Sequence, residues 1–159
     1  MLADTYRTTV KPEWIDCNGH MNVAWYVLAF DQAVDVFYRS FGLDQDYLQQ
    51  QGGSTFTVEM NVSYRRELRL GEPLRVSTQL IDFDAKRLHY YNRMVHAEEG
   101  WLAATSECLA LHVSLATRRV TPFPDALRTR LEQLRAAHAA HPMPDNLGRR
   151  IGLPQAPQQ

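Results

Sequence analysis

The chain has 159 residues, 45% of them hydrophobic and 22% charged, which is typical of one globular domain with a substantial core. Its formal net charge of −1 excludes a global field that attracts nucleic acid. No apolar run approaches the roughly 18 residues of a membrane span, and the first ten residues lack the pattern of a signal peptide. Cys17 and Cys108 form neither a disulfide framework nor a CxxC metal pair, so we expect a cytoplasmic protein with reduced thiols.

The first part of the chain predicts a short strand followed by a long helix. Residues 6–10 have strand composition, and Pro12 ends or edges that strand because proline cannot donate to a ladder. Asn22 is a good N-cap, since its side-chain oxygen can accept from the first helical turn. Apolar residues then recur at three- and four-residue steps over residues 23–41, which predicts a helix with a broad buried face. A shorter second helix is expected over residues 44–51.

The remainder changes to strand-like composition. Short turn segments separate four runs rich in Thr, Val, Phe and Tyr, at residues 54–65, 74–83, 88–96 and 101–115. The short connections predict an antiparallel meander. A leucine stripe predicts a terminal helix over residues 124–140. We therefore divide the chain into one domain over residues 1–140 and a proline-containing tail over residues 141–159, expected to be an arm or partly disordered.

The long helix needs a cover, because its broad apolar face must pack against another layer. A strongly curved antiparallel sheet wrapped around the helix would bury that face. The sequence therefore predicts the α+β class, with a curved antiparallel sheet around a long central helix and a further helix near the C-terminus.

The segment from Asp16 to Asn22, DCNGHMN, concentrates polar chemistry immediately before the long helix. Gly19 permits a tight turn, and the start of a helix supplies backbone N–H groups that lack intrahelical partners. An acid beside such donors is what hydrolysis of an activated acyl group requires. Asp16 is therefore the candidate catalytic residue, although a carboxylate here would equally serve in a turn or a cap.

This motif and the order of elements together resemble the hotdog-fold acyl-CoA thioesterases of the 4-hydroxybenzoyl-CoA thioesterase type, over residues 8–121. Residues 10–16, 18–21 and 84–89 further resemble the betainyl-CoA thioesterases of carnitine catabolism, which in some bacteria are fused to a carnitine dehydrogenase. The resemblance implies hydrolysis of an acyl-CoA, with betainyl-CoA as the first candidate, and needs no metal or redox cofactor. It also implies a homodimer or a dimer of dimers, because hotdog sheets join edge to edge.

The resemblance also assigns roles to residues around the helix start. Asp16 matches the catalytic aspartate, as nucleophile or as general base for water, and the Val23 N–H would be the oxyanion donor. His20 would orient Asp16, contact the substrate or only pack. Three neighbours complete the set near the substrate, as turn and cap residues rather than catalysts: Asn18, Gly19 and Asn22.

The trimethylammonium group of betainyl-CoA would favour aromatic faces, at about 0.5–2 kcal/mol for a good contact. The aromatic candidates are Trp14, Trp25, Tyr26 and Tyr90. Glu59 is a carboxylate inside an otherwise apolar strand. It would join this set if it faced the acyl pocket, and would otherwise point to solvent.

Basic residues at three places are candidates for the nucleotide phosphates of CoA. The resemblance places Lys86 and Arg87 in a loop that contacts phosphates, and Arg118 and Arg119 follow the last long strand. The basic run at residues 65–69 is more typical of a solvated face.

Other functions remain open at this point. The protein could hydrolyse another short or aromatic acyl-CoA, or it could be a hotdog protein that binds acyl-CoA without turning it over. A hydratase or dehydratase on the same fold uses a different histidine motif, which the sequence lacks. Neither a nucleic-acid nor a membrane partner is expected, because the charge is near neutral and no binding motif appears.

Overall fold

The computed structural model describes residue 2 and residues 4–153 of the chain. Its elements, in chain order, are β1 (Asp4–Thr9), α1 (Val23–Ser40), α2 (Gln45–Gln51), β2 (Gly53–Tyr64), β3 (Pro73–Phe83), β4 (Arg87–His96), β5 (Leu102–Ser114), β6 (Arg119–Val120) and α3 (Asp125–His138). A 3-10 turn, Pro12–Trp14, precedes α1. The predicted helices and long strands are confirmed to within two residues, whereas the short β6 is not predicted. No helix in the described part is long and apolar enough to span a bilayer.

The sheet order is β1-β3-β4-β5-β2, with β6 beside the end of β5, and every described strand pair is antiparallel. β3, β4 and β5 form a meander, but β2 pairs with β5 instead of β3, so the prediction of a simple four-strand meander is wrong. Residues 65–72 connect β2 to β3, which is not its neighbour in the sheet. Within this connection, the buried Leu68 packs beneath the start of α1. Its N–H donates to Tyr26 Oη at 3.0 Å, and its carbonyl accepts the Met21 N–H at 2.8 Å.

α1 packs on the concave face of the curved sheet and forms two buried clusters with it. Near the helix start, Tyr26 and Phe30 pack among residues that include Met94. Towards the helix end, Phe37 packs among residues that include Leu88. We call the end of the sheet beneath the start of α1 the proximal end and the opposite end the distal end. Burying each large apolar side chain of this kind stabilises the fold by about 1.5–3 kcal/mol.

α3 covers an edge of β3 at the distal end. β1 pairs with β3 no further than Ser77, which leaves the next stretch of that edge without a strand neighbour in the described chain. There His138 Nδ1 accepts the Leu80 N–H at 2.8 Å. The predicted leucine stripe packs against the distal cluster through Leu127 and Leu131, which are buried.

Residues 141–153 follow α3 and lie on the face of the sheet away from α1, which we call the outer face. Asn146, Gly148 and Arg149 hydrogen-bond to side chains of β4, β5 and β2. This part of the predicted tail is therefore placed as an arm on the sheet, and residues 154–159 lie outside the described residues.

Candidate active site

The D-x-N-G-H-M-N segment folds into a tight loop at the proximal end of the sheet. An isolated β-bridge between Ile15 and Met21 closes its base. The Asp16 N–H donates to the His20 carbonyl at 3.1 Å, and the Asp16 carbonyl accepts the Gly19 N–H at 3.0 Å. Gly19 has φ +79°, a left-handed conformation that glycine adopts without a side-chain penalty. The loop thereby fixes Asp16 where the chain enters α1.

Two neutral donors hold the Asp16 carboxylate, which is half-buried. Oδ1 accepts the Asn18 N–H at 2.8 Å, and Oδ2 accepts from Asn22 Nδ2 at 3.3 Å. Neutral donors orient a carboxylate without cancelling its charge. The geometry therefore suits attack on a carbonyl or removal of a proton from water.

The predicted N-cap is confirmed, because Asn22 Oδ1 accepts the Ala24 N–H at 3.0 Å. The same amide donates to Asp16, so one side chain joins the carboxylate to the helix start. Val23 is the first residue of α1, where a backbone N–H has no acceptor within the helix and lies at the positive end of the helix dipole. Its side chain is 53% exposed, so this end of the helix is open to a ligand.

A cavity of about 220 Å³ lies beside the start of α1. Its lining residues are His20, Met21, Val23, Tyr26, Tyr64, Arg65, Arg66 and Glu67. His20 Nδ1 is 3.2 Å from the Met21 carbonyl oxygen, so a protonated Nδ1 donates there and leaves Nε2 as the acceptor of the neutral ring. Arg65 and Arg66 come from the run that is more typical of a solvated face, and both line this cavity.

Tyr64 also lines this cavity, although no sequence motif predicts it. Its hydroxyl donates to the Val23 carbonyl at 3.3 Å, and its ring meets the Tyr26 ring edge to face, with centroids 5.3 Å apart. Tyr64 is the last residue of β2 and pairs with Ala104 of β5. Only the sheet order reveals that this strand ends beside the start of α1, so the sequence carries no local signal for it.

The aromatic candidates separate between the two ends of the sheet. Trp14 and Trp25 stack at the proximal end, with centroids 5.5 Å apart and planes inclined by 15°. Tyr26 lies in the same cluster, and burial raises the pKa of its hydroxyl. Tyr90 lies in the distal cluster, with its ring centroid 5.6 Å from that of Phe37. The structure therefore brings three of the four candidates together.

Glu59 lies on the outer face of the sheet. Glu59 pairs with Leu109 of β5. The residue before Leu109 is Cys108, whose side chain is buried beneath α1. Because successive residues of a strand face opposite sides, Glu59 points away from α1 and lines a separate cavity of about 620 Å³. Within one protomer it is not brought together with Asp16. Among residue 2 and residues 4–153, no three His, Cys, Asp or Glu side chains are grouped so that they could hold a metal ion.

The four basic residues expected to contact phosphates lie at the distal end, opposite Asp16. Lys86 and Arg87 lie at the turn between β3 and β4, and Arg118 and Arg119 lie at the turn between β5 and β6. Arg87 Nε donates to Asp84 Oδ2 at 2.6 Å, and this hydrogen bond lowers the pKa of the Asp84 carboxyl. The Arg118 guanidinium lies 4.9 Å from the centroid of the Phe56 ring. Within one protomer, these cations do not meet the proximal cavity.

Comparison with known proteins identifies relatives of the whole chain. A sequence profile of the thioesterase-like superfamily matches residues 10–131. The betainyl-CoA thioesterase of Pseudomonas aeruginosa is 41% identical over 153 residues, which cover 96% of each chain. The L-carnitine dehydrogenase/betainyl-CoA thioesterase of Rhizobium meliloti is 33% identical over 145 residues, which cover 91% of this chain and 29% of that longer protein.

Solved structures share the architecture. A Staphylococcus aureus protein in complex with CoA superposes with a TM-score of 0.88 and 31% identity, covering 97% of this chain and 98% of the other. A Pseudomonas putida KT2440 protein, provisionally assigned as a thioesterase, gives a TM-score of 0.85 and 39% identity, covering 98% and 99%. The chain belongs to the thioesterase-like superfamily and has the hotdog fold that its motif and element order predict.

Proposed function

We propose that this protein hydrolyses acyl-CoA thioesters and that betainyl-CoA is its substrate. The observation that carries the proposal is the Asn22 amide, which joins the Asp16 carboxylate to the helix start at Val23, beside the proximal cavity. The relative of P. aeruginosa, 41% identical and named a betainyl-CoA thioesterase, supports this choice of substrate. The S. aureus structure with CoA supports CoA as the thiol component.

In the proposed reaction, the thioester carbonyl oxygen points to the Val23 N–H. Asp16 either removes a proton from a water that attacks the carbonyl carbon or attacks that carbon itself. The oxyanion of the tetrahedral intermediate is stabilised by the Val23 N–H and by the dipole of α1. Collapse breaks the C–S bond and expels CoA as a thiolate, which takes up the proton that Asp16 removed from the water. If Asp16 attacks directly, collapse gives CoA thiolate and a mixed anhydride. A water then hydrolyses the anhydride to the product carboxylate and the Asp16 carboxylate, and a released proton goes to the thiolate.

His20 serves this site in one of three ways. Its ring lines the proximal cavity and is held by the Met21 carbonyl. From there it orients Asp16 through a water, contacts the substrate or completes the cavity wall. The mechanism above requires none of these roles, so Asp16 and Val23 remain the central pair.

The cationic acyl group would meet aromatic faces at the proximal end. Tyr26 and Tyr64 form a perpendicular pair in the cavity wall, and Trp25 stacks beside the loop that carries Asp16. Cation–π contacts of this kind are worth about 0.5–2 kcal/mol each. Glu59 points away from this cavity, so we do not include it in the acyl site of its own protomer.

The proposed active unit is a homodimer joined through β2, and a dimer of dimers would pair two such units. β2 is twelve residues long and forms an edge of the described sheet. Its exposed apolar residues include Phe56, Val58 and Met60, and α1 adds Val23, Leu28 and Val36. A long apolar edge is a liability unless it is covered. Isologous pairing about a two-fold axis covers this edge in both copies.

Antiparallel pairing of two β2 strands would complete the active site across the interface. It places the distal end of one subunit beside the proximal end of the other. The cavity near Asp16 then lies close to Arg118 and Arg119 of the partner subunit, where the phosphates of CoA would bind. The pantetheine arm would follow the seam between the subunits.

A cytoplasmic location completes the proposal, because Cys17 and Cys108 are both free in the described chain.

A panel of substrates tests the proposed function. Thiol release is measured with betainyl-CoA, a short neutral acyl-CoA and an aromatic acyl-CoA. We expect kcat/KM to be at least about tenfold higher for betainyl-CoA, the gain that 1.4 kcal/mol of cation recognition provides. Preference for a neutral thioester would contradict the choice of substrate and retain the enzyme class. Tight binding of every acyl-CoA without thiol release would favour a binding protein.

A further inference from the structure

The C-terminal segment crosses the outer face strand by strand. Asn146 accepts a hydrogen bond from the Tyr91 hydroxyl of β4, and its Nδ2 donates to Thr105 Oγ1 of β5 at 3.3 Å. Two residues later, the Gly148 N–H donates to Glu107 Oε2 of β5 at 2.8 Å. Arg149, the next residue, contacts β2. The path therefore leads from the middle of the sheet towards the edge formed by β2.

The segment continues beyond its contact with β2. The Arg149 carbonyl accepts from Asn61 Nδ2 of β2 at 2.9 Å. The following apolar side chains, Ile151 and Leu153, are 92% and 94% exposed. A single exposed apolar residue is common on a protein surface. Here Ile151 and Leu153 directly follow a hydrogen-bonded segment that reaches the edge of the sheet.

In the proposed homodimer, the surface beyond this edge is the outer face of the partner's β2. Symmetric antiparallel pairing about the midpoint of Gly53–Tyr64 places Asn61 opposite Phe56 of the partner subunit. Phe56 lies on the outer face, opposite Leu111 of β5, and is 37% exposed. Neighbouring strands are about 4.8 Å apart, and each extended residue advances about 3.3 Å. Residues 150–153 are therefore long enough to cover this part of the partner.

Charge favours the same placement. The symmetric pairing brings Glu59 of each subunit close to the two-fold axis on the outer face, where like charges repel. Arg149 and Arg150 line the outer-face cavity together with Glu59. Two arginines from each chain would thus offset the pair of carboxylates at the axis.

We propose that residues 149–153 form an arm that crosses the dimer interface and packs Ile151 and Leu153 against Phe56 of the partner subunit. The inference rests on the proposed homodimer, and it adds an interaction surface whose occupant is a second copy of this chain. The arm would cover the outer face of the joined sheets, while the β2 strands pair at their edges and the α1 helices contact each other on the opposite face.

Disulfide trapping between separately prepared variants tests the arm. Cys17→Ser is the background, since Cys17 is exposed and Cys108 is buried. One full-length protein carries Ile151→Cys, and a second, with a size tag, carries Phe56→Cys. After mixing, subunit exchange and mild oxidation, a disulfide between these two positions can form only between chains. We expect a reducible covalent heterodimer. Met143→Cys, which is exposed but precedes the crossing, should give none with Phe56→Cys.

Sedimentation velocity on the same proteins separates the possible failures. Dimeric protein without the heterodimer would overturn the arm and leave the proposed homodimer intact. Monomeric protein at micromolar concentration would overturn both. In support of the arm, Ile151→Ser with Leu153→Ser should raise the dimer dissociation constant at least about tenfold, because two buried apolar side chains are lost. An unchanged dissociation constant would contradict it.

Discussion

At the scale of single residues, the Asn22 amide makes two contacts that serve different functions. Its oxygen caps α1 through the Ala24 N–H, and its nitrogen donates to Asp16 Oδ2. The amide cannot rotate to improve one contact without losing the other. The position of the carboxylate is therefore tied to the helix start, where the Val23 N–H lies.

Substitutions at Asn22 separate these functions. Asn22→Ser keeps an oxygen for the cap but removes the Nδ2 group that donates to Asp16 Oδ2, and we do not expect its shorter hydroxyl to span that distance. Asn22→Ala loses both contacts. We expect Asn22→Ala to lower the free energy of unfolding by about 1 kcal/mol and Asn22→Ser to preserve it. Both should lower kcat by roughly tenfold or more, because small misplacements of a catalytic group are costly. Urea unfolding and thiol release measure the two effects. Full activity in Asn22→Ser would contradict the role of the amide.

The sequence predicts the Asp16 loop and its cap well, because turn and capping chemistry is local. It does not predict the orientation of Glu59. A register shift between Thr57 and Glu59 inserts an extra residue into β2, so Phe56 and Glu59 lie on the same face although their spacing is odd. Simple alternation along the strand would place these two side chains on opposite faces.

At the scale of elements, α3 shows how a helix can protect a sheet edge through one histidine. His138 Nδ1 must be unprotonated to accept the Leu80 N–H. Burial lowers the pKa of His138, and the nearby His141 lowers it further. The adjacent ion pair between Arg135 and Asp82, at 3.1 Å, ties the same helix to β3. Docking of α3 is therefore strongest when His138 is neutral.

This contact predicts a pH dependence of stability. The folded protein holds the His138 proton less tightly than the unfolded chain does. The stabilisation is therefore complete above the ordinary histidine pKa, about 6.5, and is lost as the pH falls below it. His138→Asn places a non-titrating acceptor near the Leu80 N–H. Urea unfolding should show a smaller loss of stability between about pH 7.5 and about pH 5.5 in this variant than in the wild type. Identical losses would contradict the assignment.

The bounds of the helices and strands follow from hydrophobic periodicity, which is why they are predictable. The order of the strands is not. Residues 65–72 connect β2, which pairs with β5, to β3, and within this connection the Leu68 N–H donates to Tyr26 Oη, a contact between residues 42 positions apart. The sequence around Leu68 or around Tyr26 does not indicate that these two residues are in contact.

At the scale of the whole molecule, the two halves of the proposed site lie at opposite ends of the protomer. Asp16 is at the proximal end, and the basic turns with Lys86 and Arg118 are at the distal end. The proposed antiparallel dimer would resolve this separation, because it would place unlike ends side by side. Fold and family follow from the chain alone, whereas the substrate path that we propose would be completed by a second chain.

Thiol release from betainyl-CoA by the wild type and by Asp16→Asn tests directly whether Asp16 is the catalytic residue. Asparagine retains an oxygen for the Asn18 N–H but can act neither as base nor as nucleophile. We expect turnover by the wild type and a kcat lower by about 10²–10⁴ in the variant, with an unfolding midpoint close to that of the wild type. Undiminished kcat in Asp16→Asn would contradict the assignment of the active site.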